Sequence, residues 1–318
     1  MKASLSLDLD NKWSYMKTHG DAGWEEYPSY LETLLPNVLG LLDELGLTIT
    51  FFIVGRDAAN PESRASLATI PQHGHEIGNH SFFHEPWISK RNRAEVDEEL
   101  ARAEEAIEGA TGEIPRGFRG PGFARSPEML DVLATRGYLY DASSLPTFIG
   151  PLARAYYLRA AKLSEDELKD RDVLFGSFSD GLRKNAPYLV KANGAALVEI
   201  PVTTMPLLRI PIHLSYVLYL AALSPSIALA YFATALTLCE ITRTPPSILL
   251  HPLDFLTARD CPELKFFPAM SLDPEVKAHV VSESLVMLKR RFEVVPLRDV
   301  ARSLREGVRK VSFQYREG

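Results

Sequence analysis

The chain has 318 residues, 46% of them hydrophobic and 24% charged, the composition of a globular protein long enough to bury a large core. A formal net charge of -6 and a pI near 5.8 leave no basic face of the kind phosphate backbones require, so no nucleic-acid partner is expected. Two cysteines, Cys239 and Cys261, stand in no CxxC pattern, which excludes a disulfide framework and reads as two reduced structural thiols.

The opening MKASLSLDLD carries charges within its first ten residues and no apolar run of signal-peptide length, so cytoplasmic residence is the expectation. Ala3 to Leu9 alternates as a buried strand and ends in Asp8 and Asp10. Tyr30 to Leu45 places Leu31, Leu34, Leu35, Val38, Leu41, Leu42 and Leu45 on one helical stripe, with Gly46 as the stop. Thr48 to Val54 is β-branched and aromatic, a central strand. The alternation continues with a helix at Pro61–Gln72, a strand at Glu76–Gly78 and a charged helix at Arg91–Gly109. Further strands are expected at Arg116–Arg119, Leu139–Ala142, Leu197–Val202, Ser247–Leu250 and Phe292–Pro296, with helices at Pro127–Arg136, Pro274–Arg290 and Leu297–Glu306. Repeated strand-helix units predict an α/β fold with a parallel sheet and helices outside.

Two stretches break this rhythm. Residues 150–196 mix an Ala/Tyr/Leu-rich helix, the charged run SEDELKDRD and a Gly/Ser segment, and read as an insertion over one face of a single domain spanning 1–318. A second insertion at about 206–240 contains Ile210 to Cys239, which has no Asp, Glu, Lys or Arg. Pro225 divides it into halves shorter than the roughly 20 residues of a spanning helix, so the readings are two packing helices or a peripheral membrane contact through 210–239.

The chemistry-bearing residues fall between these elements. His80 and His84 are four apart in GHEIGNHSFFH, the spacing that puts two imidazoles on one helical face and lets them grip one divalent metal. Asp8 and Asp10, one residue apart on a strand, project to the same side. Two carboxylates at the end of an apolar strand are costly unless one binds a metal and the other serves as a base. Solvent-facing histidines and a polar strand end are the bland alternatives.

These residues belong to an ordered set. LDLDN (7–11), HSFFH (80–84), FRGPG (118–122), YDASS (140–144) and ILLHP (248–252) occur in the order of the motifs of polysaccharide deacetylases, carbohydrate esterase family four, and the chain resembles that family from Asp8 to Pro252. The Asp-x-Asp start, with Leu9 between the acids, is similar to a subgroup that includes certain peptidoglycan deacetylases and metal-free allantoinase relatives. The resemblance implies a distorted (β/α) barrel of about seven parallel strands. It also implies Asp8 as general base, Asp10, His80 and His84 as metal ligands, Arg119 orienting the base, and His251 as general acid. The activity implied is hydrolysis of an N-acetyl group on an amino sugar in a polysaccharide, oligosaccharide or lipid-linked saccharide at the inner membrane surface. A deformylase or allantoinase-like amidase, or an inactive carbohydrate-binding relative, is the alternative.

One divalent ion is expected, zinc foremost, with cobalt, nickel, iron or manganese tolerated by a mixed Asp/His set. Arg119 can pair bidentately with Asp8. Trp13 and Trp87 flank motif residues and can stack on a sugar face or pack inside. Pro121, Gly122, Asp141 and Leu250 complete the substrate-binding candidates, with Asp141 and Asp254 as candidate partners of His251. His75 reads as a core or supporting residue and His213 as interfacial.

Overall fold

The first strand alternates Ala3, Leu5, Leu7 and Leu9 with Ser4, Ser6 and Asp8, so one row of side chains joins the apolar core and the other faces inward. The computed structural model describes residues 1–160 and 163–314; residues 161, 162 and 315–318, the first two within the Ala/Tyr/Leu-rich stretch, lie outside the described residues. Nine strands form one sheet: β1 (Lys2–Leu9), β2 (Thr50–Ile53), β3 (Glu76–Asn79), β4 (Gly117–Phe118), β5 (Tyr140–Asp141), β6 (Tyr188–Ala192), β7 (Ala195–Glu199), β8 (Ser247–Leu250) and β9 (Glu293–Val295). Their order is β6-β7-β5-β4-β3-β2-β1-β8, with β9 beside the start of β1.

Every pairing is parallel except β6 with β7, so eight strands are parallel and one edge strand is not. Past β7 the chain returns to the far edge: Thr203 N–H donates to Ser247 O at 2.9 Å, and Ser247 N–H to Thr203 Oγ1 at 2.8 Å. The sheet is thereby curled into a distorted (β/α) barrel. The helix Leu31–Glu44 lays Leu31, Leu34, Leu35, Val38 and Leu42 against it, each contributing about 1.5–3 kcal/mol by burial.

The antiparallel strand was not apparent in the segment read as irregular. Asn193 (φ 44°) and Gly194 (φ 74°) both take positive φ, as a two-residue hairpin turn demands, and Asn-Gly supplies that conformation cheaply. The rest of that insertion folds over the C-terminal ends of the strands, where Arg171 donates to the carbonyls of Thr18 and Lys17 at 3.1 Å each.

The apolar insertion forms two helices, Leu214–Ala221 and Pro225–Thr242. The second is long and apolar enough to cross a membrane by length and composition. Its buried face carries Ala228, Phe232, Ala235, Leu236 and Cys239 in the main core, whereas Ser226, Ala230, Thr234, Thr237 and Glu240 face outward. The exposed Leu223, Ile227 and Ile241 stand among these small and polar residues, so the pair of helices packs on the core by one side and turns a mixed apolar and polar face outward.

Candidate active site

All six principal candidates sit at or just beyond the C-terminal ends of parallel strands: Asp8 and Asp10 after β1, His80 and His84 after β3, Arg119 after β4 and His251 after β8. Tyr30 donates its hydroxyl to the backbone carbonyl of Asp10, and Asn11 caps the helix Lys12–His19 while donating to Asp57 Oδ1 at 2.8 Å. These bonds fix the chain that carries the acids.

The histidine pair is not on a helix. HSFFH is a loop in which Ser81 (φ 62°) and His84 (φ 50°) are left-handed, an uncommon state for non-glycine residues that costs on the order of 1 kcal/mol each. Side chains hold it there: Asn79 Oδ1 accepts from Ser81 N–H, Ser81 Oγ from His84 N–H, and the buried Glu99 carboxylate from the amides of Phe82 and Phe83. Glu99 falls in phase with Val96 and Ala103 on the buried side of its helix, the signal that could have marked it.

The ligand atoms converge. His84 Nε2 lies 2.9 Å and His80 Nε2 3.2 Å from Asp10 Oδ1, and one donor atom from each residue lies within 4.8 Å of the others. Asp10 Oδ1 and both ring nitrogens of His84 are buried without a well-formed hydrogen bond. That arrangement is unfavourable alone and fits a cation between the three groups. His80 Nδ1 donates to Arg119 O at 2.7 Å, which leaves Nε2 as the free lone pair. Burial acts to raise the Asp10 carboxyl, but His84 and His80 outweigh it and hold it well below the usual carboxylate range.

Asp8 stands beside this cluster, its Oδ2 3.9 Å from His80 Nε2. Arg119 reaches Asp8 Oδ1 with Nη1 at 2.7 Å, but the pair is single-pronged: Nη1 also bonds Ser6 Oγ, Nε donates to Ala142 O, and Nη2 has no partner. The expected two-pronged geometry is absent: Nε is turned to Ala142 O, and Nη2 makes no bond to the carboxylate.

His251 is half-buried at the mouth. Asp254 Oδ2 accepts from His251 N–H at 2.8 Å. Ser215 Oγ lies 2.8 Å from Asp254 Oδ1 and 3.1 Å from His251 Nδ1. The serine has one proton, given to the carboxylate, so its oxygen accepts the Nδ1 proton. Asp254 is thus the partner foreseen, whereas Asp141 is not: it lies 3.4 Å from Arg125 and accepts a hydroxyl bond from Ser143. Ser215 was missed, although it is a polar residue inside an apolar helix. His213 is buried rather than interfacial, its ring centroid 5.9 Å from that of His251. Burial, with the charges of His251 and Arg119, holds it well below the ordinary imidazole range.

The remaining candidates separate. Trp13 is buried, its indole N–H bonded to Asp57 Oδ1 at 2.9 Å and its ring beneath Arg56, so it packs inside. Burial pushes the Asp57 carboxyl up to about 6. Trp87 is half-buried with Lys17 and Arg171 over its ring. Leu250 is fully buried in the main core, away from any groove. Pro121 is buried; Gly122 (φ +58°) is half-buried beneath Pro86 and Leu174. A Cβ at Gly120 would strike Ala124 O at 2.0 Å, which accounts for the first glycine of FRGPG. His75 is a core residue whose Nδ1 accepts from Ile49 N–H at 3.2 Å.

Residues 20–140, which contain His80, His84 and Arg119, match the family model described as polysaccharide deacetylase. The chain is 28% identical over 163 residues to a peptidoglycan deacetylase of Helicobacter pylori, covering 49% of this chain and 52% of that protein. It is 34% identical over 107 residues to the uncharacterized protein YlxY of Bacillus subtilis, covering 34% of this chain and 31% of that one. With a chitooligosaccharide deacetylase of a Bradyrhizobium it shares 36% identity over 88 residues, 27% and 38% of the two chains. It therefore spans between about a third and a half of the length of these relatives. A solved structure of a polysaccharide deacetylase candidate from Mycobacterium smegmatis shares the fold, with a TM-score of 0.64 at 18% identity over 96% of this chain and 90% of that one. The ordered motifs, the family match over residues 20–140 and the distorted barrel agree: the chain is similar to polysaccharide deacetylases in its fold and in the region that carries His80, His84 and Arg119.

Proposed function

We propose that this protein is a metal-dependent hydrolase that removes an N-acetyl group from an amino sugar in an oligosaccharide, polysaccharide or lipid-linked saccharide. The observation that carries the reading is the buried convergence of Asp10, His80 and His84 beside the Asp8–Arg119 pair, with His251 at the mouth. Asp10, His80 and His84 would hold a divalent ion, and two nitrogens with one carboxylate suit zinc. When bound, that ion supplies Lewis acidity toward the amide carbonyl.

The protein groups divide the proton work. Arg119 holds Asp8 by its Oδ1, which leaves Oδ2, the oxygen not bonded to the guanidinium, to take a proton from water. His251, fixed through Nδ1 by Ser215, presents Nε2 to protonate the departing amine. Burial of Asp8, Asp10, His80 and His84, each under 7% exposed, keeps bulk water from the cluster. Products are acetate and a free amino sugar.

The lipid-linked form of the substrate is supported by the rim. Leu207 and Leu208, 80% and 59% exposed, occupy the tip of the tight loop closed by the Thr204–Pro211 bridge, and Leu152, Phe178 and Leu182 of the other insertion are also exposed. Thr147 Oγ1 donates to Arg209 O, and the Phe148 and Phe178 rings lie 4.9 Å apart, so these segments adjoin.

The test is hydrolysis of an N-acetylglucosamine oligomer, with N-formyl and ureide substrates alongside, before and after chelation and reloading with zinc. Acetate release that stops on chelation and returns with zinc is expected. Full activity after chelation would overturn the metal assignment, and turnover of only the formyl or ureide substrate would overturn the sugar N-acetyl assignment.

A further inference from the structure

Next to the catalytic cluster lies a second cavity of about 310 Å³ whose wall includes Phe123, Arg125, Ser144, Arg154 and Arg183. Phe123 joins it to the site, since its ring packs 6.5 Å from that of His213, which in turn packs on His251. Ser143 on the same wall accepts from Gly120 N–H at 2.8 Å, tying the cavity to the loop that follows Arg119. A substrate seated at the metal cluster therefore has this space beside it.

Among the described residues, salt bridges take up every charged side chain lining the cavity except one. Asp172 is taken by Lys90 at 2.8 Å. Asp180 is taken by Arg183 at 2.5 Å and by the Ser177 amide. Arg125 is committed to the buried carboxylates of Glu199 and Asp141, at 3.1 and 3.4 Å. Arg154 is half-buried on the helix Gly150–Ala160 and has no carboxylate partner among the described residues, which leaves one guanidinium without a counterion. Ser144, only 3% exposed, adds a buried hydroxyl with no hydrogen-bond partner. A cationic fork and a buried hydroxyl lining one cavity suit an anion, because each can donate to charged oxygens.

We infer that this cavity binds an anionic substituent of the substrate, a carboxylate or a phosphate, with Arg154 as its counterion and Ser144 as a second donor. The inference rests on the deacetylase reading for the identity of the neighbouring group, but not for the presence of the anion site. It narrows the substrate to amino sugars that carry a negative charge within one sugar unit or linkage of the acylamino group.

The experiment compares three probes on the zinc-loaded protein: methyl N-acetylglucosaminide, N-acetylglucosamine 1-phosphate and N-acetylmuramic acid. Hydrolysis and calorimetric binding are both measured, for the wild type, Arg154→Gln and Arg154→Lys. At least one anionic probe is expected to exceed the neutral one by about tenfold in kcat/KM and in affinity, the scale of one charge-assisted hydrogen-bonded contact. Arg154→Gln should erase that preference while leaving the neutral probe unchanged, and Arg154→Lys should restore part of it. Preference for phosphate or for carboxylate distinguishes the two sources. Equal binding of neutral and anionic probes by the wild type overturns the inference, as does an anionic preference that survives in Arg154→Gln. If no probe is hydrolysed, the deacetylase reading fails, and the binding series still decides the anion site.

Discussion

Ser215 Oγ lies 3.1 Å from His251 Nδ1, so a residue of the apolar insertion sets the orientation of the imidazole proposed as general acid. Ser215→Ala leaves that nitrogen without its acceptor, and one net hydrogen bond is worth about 0.5–1.5 kcal/mol. We expect kcat to fall about five- to tenfold with bound zinc unchanged, read by steady-state kinetics and metal analysis. An unaltered kcat would remove Ser215 from the mechanism.

Asp8 and Asp10 differ in partners, which makes their variants distinguishable. Asp8→Asn keeps the shape beside Arg119 but removes the base, so turnover should drop at least about 100-fold while zinc stoichiometry stays near wild type. Asp10→Asn should instead lose zinc. Metal content measured after dialysis, alongside rate, separates the two roles.

Proton and metal compete at His80. Burial acts to lower its pKa, but the charges of Asp8 and Asp10 and the Arg119 carbonyl raise it above the ordinary value near 6.5. The metal-free fold is therefore stabilised by this proton below about pH 6.5, and that contribution is lost as pH rises through the raised value. Zinc needs the unprotonated ring, so its affinity should increase as pH rises over the same window. Thermal melts with zinc and with chelator at pH 5.5 and 8.5 should show the larger zinc stabilisation at pH 8.5; the reverse order would refute the assignment.

Asp57 provides a second pH handle. Burial raises its carboxyl to about 6, against the bonds from Asn11 and Trp13 that favour the charged form. The folded state thus binds the proton more tightly than the unfolded chain, and stability falls as pH climbs from about 4 to 6, by on the order of 3 kcal/mol at most. Asp57→Asn should flatten that slope in urea unfolding series at pH 4, 5, 6 and 7.

The strands that carry the site were readable because a buried parallel strand is a run of β-branched and apolar residues, as in TFFI, and its polar terminus stands out, as in Asp8 and Asp10. The spacing of His80 and His84 pointed to the right pair for an incorrect reason. A four-residue interval looks helical, but the pair is held in a left-handed loop by Asn79, Ser81 and Glu99, whose contacts are set by tertiary structure. Ser215 and Arg154 were not legible as functional residues, since the partners of Ser215 lie on an element distant in the chain and the cavity lined by Arg154 forms only when the insertion folds over the mouth. Trp13 illustrates the converse: it neighbours the first motif in sequence, yet its indole faces Asp57 and the interior.

Pairing with β2 on one side and with β8 and β9 on the other leaves β1 bonded along both edges, and the bonds of Thr203 to Ser247 cover the outer edge of β8 as well. Amides of Leu5 to Leu9 should then be among the last to exchange with deuterium, opening only with the whole molecule. The walls of the anion cavity come largely from an insertion that leans on the barrel through contacts such as that of Arg171 with Lys17 and Thr18, and they can open on their own. Bond-breaking groups and substrate-choosing groups thus occupy regions of different local stability. Mutational drift can rewrite the cavity wall while the barrel that holds Asp8, Asp10, His80 and His84 stays intact.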